Sequence, residues 1–171
     1  DMLYGIYYLT VEIPGEKGEG KCFSDPDEAV MAYETGNCSL HSKVTVRITK
    51  EIDGKVCSYR IETTVGRIIF NKVIPEGIGL IERNTFEDQF KNEVEFAVNK
   101  KMMKKIIKYC YVNLGSTQTA IMLDAIKELG YKYSTIASLT ANLFDIRVAK
   151  DRTDIISKAD IVVYPPDEDF K

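Results

Sequence analysis

The fold class is decided by residues 43–73, which read KVTVRITKEIDGKVCSYRIETTVGRIIFNKV. The first seven of these residues alternate strictly between polar and apolar side chains, which predicts a half-buried strand. Asp53-Gly54 is a preferred sequence for a two-residue type I′ turn, so the residues after it should return as the second strand of a hairpin. Thr63 or Thr64 should then cap a helix over residues 65–73.

Two short helices are predicted before this hairpin. Residues 3–9 are apolar apart from their tyrosine hydroxyls, and Asp1 precedes them as a possible cap. Residues 25–28 read Asp-Pro-Asp-Glu, in which the first aspartate caps, proline fits the first helical turn and the glutamate completes a capping box. This second helix should end at Gly36.

The second half of the chain is predicted to be helical. Apolar residues recur with helical spacing over residues 100–114, and Gly115 should end that helix. Another helix should run over residues 117–129 and end at Gly130, with residues 131–136 extending it after a break. The opposite face of the first of these helices carries five lysines, Lys100, Lys101, Lys104, Lys105 and Lys108.

These elements predict an α+β fold, in which short helices surround a small antiparallel β-hairpin or sheet and the C-terminal half is helical. A short strand over residues 139–144 and a last helix over residues 151–159 complete the pattern.

Composition and charge narrow the class of protein. The chain has 171 residues, 44% of them hydrophobic and 29% charged, which is ordinary globular usage and argues against a disordered or fibrous protein. Its net charge of −3 offers no general attraction for DNA or an anionic membrane. No apolar run approaches the length of a membrane span or a secretory signal, so we expect a soluble intracellular protein with reduced cysteines.

Candidate metal and nucleophile sites are weak. His41 is the only histidine, and its spacing from Cys38 would suit a zinc site completed by Cys22 and Cys57, or a cysteine nucleophile activated by His41. The irregular spacing argues against both. No Asp-x-Asp-x-Asp array that could hold catalytic magnesium is present. We therefore assign no catalytic residue and no metal ligand to this chain.

The lysine face allows two interpretations. Five ammonium groups on one side of a helix could approach the phosphates of a nucleotide or RNA. They could equally be the solvated face opposite the core, and Glu93 and Glu95 just upstream could neutralise part of the charge. The spacing alone does not separate these alternatives.

Five ungapped segments, taken in order, resemble the beta-prime subunit of bacterial DNA-directed RNA polymerase. They are DMLYGIYYLT at residues 1–10, KGEG at 17–20, SLHSKV at 39–44, TTVGRIIFN at 63–71 and GYKYST at 130–135. The resemblance extends over about residues 1–160. It implies a pore or funnel domain at residues 1–146, followed by the truncated start of a rim helix and a divergent tail at residues 147–171.

The resemblance implies a function in transcription. This part of the subunit lines the secondary channel, through which nucleoside triphosphates reach the active site and the RNA 3′ end is extruded on backtracking. The catalytic Asn-Ala-Asp-Phe-Asp-Gly-Asp motif precedes it in the family, so the Mg²⁺ and Zn²⁺ of the full subunit would be bound outside this chain. The implied partners are the beta, alpha and omega subunits in a cytoplasmic, nucleoid-associated enzyme, with DNA contacted only through the whole enzyme and no membrane.

The same resemblance implies two sets of site residues. Lys100, Lys101 and Lys104 are candidates for the surface that faces the nucleotide channel. Asp145, Arg147 and Lys150 are candidates for the rim where secondary-channel cleavage factors dock. The alternative is a free-standing, non-enzymatic module that binds RNA or a polymerase-associated factor through the lysine face.

The end of the chain departs from the family pattern. Residues 137–144 are bulkier than the family's usual Ser-Gly turn before Asp145, and residues 161–171 resemble nothing in the rim helix. Pro165-Pro166 would also break that helix.

Overall fold

The computed structural model describes residues 1–52 and 54–138, together with Arg152 and Ile156, whose backbone is helical. The chain divides into two units, Asp1–Leu139 and Thr140–Lys171. No helix in the described part of the chain combines the length and the apolar character that a membrane span requires.

The first unit combines helices with one small sheet, which confirms the predicted α+β class. A single turn of 3-10 helix, Glu87–Gln89, precedes the long helix at Lys100–Ile136. In chain order the elements are α1 (Met2–Thr10), β1 (Cys22–Phe23), α2 (Pro26–Glu34), β2 (Lys43–Ile52), β3 (Lys55–Thr64), α3 (Val65–Asn71) and α4 (Lys100–Ile136).

The sheet has the strand order β1-β2-β3 and is mixed rather than wholly antiparallel. The predicted hairpin is confirmed, since β2 and β3 pair antiparallel from Lys43 opposite Thr64 to Ile52 opposite Lys55. β1 was not predicted and pairs parallel to β2. Two residues are too few to give a periodic pattern, and backbone bonds such as Thr45 N–H to Lys21 O (2.9 Å) hold this strand.

The helix starts follow the predicted capping chemistry with two corrections. Asp25 Oδ1 accepts from the backbone N–H of Glu28 at 2.8 Å, and Thr64 caps α3 in the same way at 3.3 Å. The Glu28 carboxylate, however, accepts from Ser24 N–H and Oγ–H rather than from the cap residue itself. Asp1 precedes α1 but its side chain makes no capping bond.

Two hydrophobic clusters hold the first unit together. The smaller cluster joins α2, the start of the β2–β3 hairpin and α3 through Ala29, Cys38, Val44, Val46, Val65 and Ile68. The larger cluster joins α1, α3, the connection after α3 and the inner face of α4. Its buried members are Ile6, Leu9, Leu40, Phe70, Ile74, Ile78, Val94, Val98, Met103, Ile106, Cys110, Met122, Ile126 and Tyr133.

α4 corrects the predicted helix boundaries. The backbone does leave the helical region at Gly115 (φ 82°, ψ 180°), but helix resumes at once instead of ending in a loop. Gly130 does not end a helix. It lies where α1 crosses α4, and a Cβ there would come 2.6 Å from the carbonyl oxygen of Met2. Glycine at residue 130 therefore serves close helix contact, which the sequence pattern alone did not distinguish from termination.

The strand predicted at residues 139–144 lies outside the described residues. So does the helix predicted at residues 151–159, apart from the two helical positions already named. The predicted domain boundary after residue 146 stays a prediction.

Candidate nucleotide-facing surface

The start of α4 is fixed by two side chains. Asn99 Oδ1 accepts from the backbone N–H of Met102 at 2.9 Å and so caps the helix. One residue earlier, the buried N–H of Val98 donates to Thr10 Oγ1 at 2.8 Å, while that hydroxyl donates to the carbonyl of Ile6 at 2.9 Å. The residue just before the cap of α4 is therefore joined to the last turn of α1.

The first half of α4 is strongly two-sided. Met103, Ile106 and Cys110 are buried in the larger cluster, as their spacing predicted. The lysines of the opposite side are all exposed, and together they are called here the α4 lysine surface: Lys100, Lys101, Lys104, Lys105 and Lys108.

The α4 lysine surface keeps its positive charge. No described acidic residue forms an ion pair with any of its five lysines. Lys105 Nζ lies 5.6 Å from the centre of the Tyr109 ring, a cation–π contact that leaves the charge intact. The N-terminus of α4 adds partial positive charge at the end where Lys100 and Lys101 lie.

The two upstream glutamates do not neutralise this surface, which corrects the expectation from sequence. Glu93 is buried, and its carboxylate accepts from Arg83 at 2.9 Å and from the backbone N–H of Leu80 at 3.2 Å. Glu95 is half-buried, and burial raises the pKa of its carboxyl group against the opposing effect of Asn92 and Thr63. Both glutamate side chains are thus turned into the segment that precedes α4 rather than toward the lysines.

The cysteines and the histidine are not gathered into one site. Cys38 Sγ lies 3.1 Å from Ser42 Oγ, and its hydrogen-bond partners among the described residues do not include the imidazole. His41 is buried, with Nδ1 3.2 Å from the carbonyl oxygen of Val11 and its ring edge-on to Tyr8. Within residues 1–52 and 54–138, no three His, Cys, Asp or Glu side chains are placed to hold a metal ion.

The described residues do not include the rim candidates. They do include a pair of facing arginines that the sequence analysis did not identify. Asp145, Arg147 and Lys150 lie outside the described residues. Arg47 and Arg60, by contrast, are exposed and directly opposite each other in the hairpin. The two-residue turn at residues 53–54 was the signal that could have placed them, because it sets the register of the strands.

Comparison with known proteins identifies the family. The family model for RNA polymerase Rpb1, domain 3, matches residues 1–146. This chain belongs to that family. This family assignment, together with the relatives described next, confirms the resemblance to the beta-prime subunit.

Two similar curated proteins are DNA-directed RNA polymerase subunits beta'. The subunit of Clostridium novyi (strain NT) is 48% identical over 163 residues, which is 95% of this chain and 14% of that protein. The subunit of Clostridium beijerinckii is 44% identical over 171 residues, or 100% of this chain and 14% of that protein. This Rpb1 domain 3 chain thus spans about 14% of the length of these relatives.

Proposed function

We propose that this chain forms part of the wall of the secondary channel in a bacterial DNA-directed RNA polymerase. Nucleoside triphosphates would pass along this wall toward the active site, and the RNA 3′ end would be extruded along it on backtracking. The observation that carries the proposal is the α4 lysine surface, which is exposed and free of ion pairs among the described residues, in a chain whose relatives are polymerase subunits.

The electrostatic attraction of this surface for a nucleotide is weak enough to let the nucleotide pass. Lys100, Lys101 and Lys104 place three ammonium groups within two helical turns, beside the positive end of α4. In water, each contact with a phosphate charge at 4 Å contributes at most about 1 kcal/mol, and salt screens it beyond roughly 8 Å. A nucleotide is therefore attracted weakly and released readily.

The experiment substitutes all three lysines by alanine in the complete polymerase. We expect the apparent KM for nucleoside triphosphates to rise roughly two- to fivefold, since a few tenths of a kcal/mol are lost per charge. The maximal elongation rate should change little, and the KM effect should shrink at high salt. The measurement is elongation rate against nucleotide concentration at two salt concentrations, together with the recovery of backtracked complexes.

The matched control removes lysines from the same helix beyond Gly115. Lys127→Ala with Lys132→Ala should leave KM and backtracking unchanged, because both lysines lie outside the α4 lysine surface and Lys127 already pairs with Asp124. Unchanged KM and backtracking in the triple variant of the α4 lysine surface would refute the proposed role.

The same proposal assigns accessory-factor docking to the rim. Asp145, Arg147 and Lys150 match the region in which the family binds factors of the transcript-cleavage type, and this resemblance is their support. Reversing these three charges in the complete enzyme should weaken factor-stimulated cleavage and leave factor-free elongation intact. Full stimulation at ordinary factor concentration would remove these residues from the docking surface.

The wider setting is part of the proposal. The beta, alpha and omega subunits would be partners of the protein that carries this chain, DNA would be contacted only through the assembled enzyme, and the enzyme would be cytoplasmic and associated with the nucleoid. The Mg²⁺ for nucleotidyl transfer, and the Zn²⁺ of the subunit, would be bound by residues outside this chain. Affinity purification of the protein should recover the other subunits; recovery without them would favour the free-standing interaction module.

A further inference from the structure

A second cationic site lies on the β2–β3 hairpin, away from α4 in the sequence. Arg47 on β2 and Arg60 on β3 are direct cross-strand partners, and both are exposed. Side chains in that relation have their Cβ atoms about 5 Å apart on the same face of the sheet. The two guanidinium groups therefore share one patch of surface.

This pairing is electrostatically unfavourable in the chain as it stands. Like charges directly opposite in an antiparallel ladder destabilise it, and on the same face Lys43 instead pairs with Glu62 at 2.6 Å. Within the described residues, neither Arg47 nor Arg60 forms an ion pair. An anion that binds both guanidinium groups would remove the repulsion.

The neighbouring carboxylates are already engaged. Glu62 is held by Lys43, and Glu28 accepts at 2.6 Å from both the backbone N–H and the hydroxyl of Ser24. Arg47 is oriented by one bond from its Nε to the carbonyl of Ser24 at 3.3 Å, which leaves its Nη groups available. The two arginines thus present free N–H donors, and no acidic side chain of the described residues is paired with them.

The two arginines line an open cleft of about 270 Å³, called here the Arg47–Arg60 cleft. Its other walls come from β1, the residue after it and the neighbouring part of β2. They contribute a thiol, an aromatic ring and hydroxyl groups from Cys22, Phe23, Ser24 and Thr45.

We propose that the Arg47–Arg60 cleft binds a terminal phosphate group, either as inorganic phosphate or as the last phosphate of a nucleotide. Two guanidinium groups carry a charge of +2, which a terminal phosphate of about −1.5 to −2 matches and a single carboxylate does not. The guanidinium N–H donors also outnumber the acceptor positions of one carboxylate, whereas a phosphate offers three terminal oxygens. This proposal does not depend on the α4 lysine surface or on the channel assignment.

Cys22 supplies a local reporter, because its thiol is exposed and lines the Arg47–Arg60 cleft. Cys57 is an internal control, since it is half-buried on β3 and belongs to the opposite face of the sheet. The experiment measures the alkylation rate of each cysteine by mass spectrometry, in the protein that contains this chain purified in its native assembly. The probes are millimolar inorganic phosphate, ATP, adenosine and acetate, all at matched ionic strength.

We expect inorganic phosphate and ATP to slow alkylation of Cys22 several-fold and to leave Cys57 unchanged. Stronger protection by ATP than by phosphate would identify a nucleotide as the source of the group, and equal protection would identify free phosphate. Protection by adenosine or acetate that equals or exceeds theirs would overturn the proposal. So would a Cys22 that does not react at all, because the cleft would then be covered.

The decisive variant is Arg60→Glu. It places a carboxylate opposite Arg47, so the hairpin should be at least as stable as before while the anion site is lost. Protection of Cys22 by phosphate should disappear in this variant and persist in Lys55→Glu, which makes the same charge change near the hairpin turn. Protection that survives Arg60→Glu, or is lost in both variants, would overturn the assignment to this cleft.

Discussion

At the residue scale, Glu95 shows how a buried acid makes stability depend on pH. Burial raises the pKa of its carboxyl group above the ordinary value of 4.5, with Asn92 and Thr63 acting in the opposite direction. Because the folded-state pKa is the higher one, the stabilising contribution is complete below pH 4.5 and is lost as the pH rises through the folded-state value.

Glu95→Gln should therefore stabilise the folded chain at neutral pH and have a smaller effect near pH 4. Glutamine keeps the shape and hydrogen bonding of the protonated acid without the ionisation. The measurement is the free energy of unfolding in urea between pH 4 and pH 8. Glu51→Gln, at an exposed position on β2, serves as the control and should follow the wild-type curve. A difference between Glu95→Gln and wild type that does not vary with pH would contradict this account.

The Asp25 cap makes a second prediction at the same scale. Its carboxylate satisfies the N–H of Glu28 at the start of α2, so Asp25→Ala should lower the free energy of unfolding by about 1 kcal/mol. Asp25→Asn retains an acceptor in the same place and should recover most of that loss. Urea unfolding measures both variants, and equal losses would show that charge rather than capping matters.

At the element scale, α1 and α4 approach each other through Gly5 and Gly130. A Cβ on Gly5 would overlap the carbonyl oxygen of Gly130 and lie 2.7 Å from the backbone nitrogen of Ser134. These contacts are to backbone atoms, which cannot turn away as a flexible side chain could. The spacing between the two helices therefore depends on both glycines.

Gly5→Ala and Gly130→Ala should each destabilise the chain by at least about 2 kcal/mol, the usual cost of forcing extra atoms into a packed contact. Tyr4→Ala on the exposed side of α1 is the control and should change stability by no more than about 0.5 kcal/mol. The midpoint of thermal unfolding reports all three variants. If Gly5→Ala were as stable as wild type, α1 and α4 would be able to move apart without a loss of stability, which would contradict the prediction.

The elements that could be predicted from sequence are those whose signal is local. The hairpin has alternation and a two-residue turn, and α2 has its cap, so both were found. The exposure of the α4 lysines follows from helical spacing in the same way. Each of these features depends only on residues that are close together in the sequence.

The features that sequence missed depend on distant partners. Gly130 has the same local appearance as a helix-ending glycine, and only the approach of Met2 reveals its role. β1 exists because β2 offers it backbone partners. Glu93 was expected near the lysines, but Arg83 and Leu80 hold it elsewhere. For the α4 lysine surface, the positive charge could therefore be predicted from the sequence. The absence of ion pairs that would neutralise it could not.

At the scale of the whole molecule, the proposed channel wall would guide nucleotides while other parts of the polymerase carry out catalysis. The chain lacks the Asn-Ala-Asp-Phe-Asp-Gly-Asp motif, and it spans about 14% of the length of relatives that are polymerase subunits. We predict that the purified chain forms no RNA from a DNA template, nucleoside triphosphates and Mg²⁺. Gel analysis of labelled products, with the complete polymerase as positive control, checks this. Template-dependent RNA from the chain alone would require the catalytic groups to lie within it.

The docking of α1 on α4 also bears on how the chain is made. Gly5 and Gly130 are 125 residues apart in the sequence. At about 5–20 residues per second, a ribosome needs roughly 6–25 s to synthesise the chain from Gly5 on α1 to Gly130 on α4. Throughout that interval the apolar side of α1, including Ile6 and Leu9, lacks its final cover. The nascent polypeptide is thus most open to chaperone binding or misassociation before α4 leaves the ribosome.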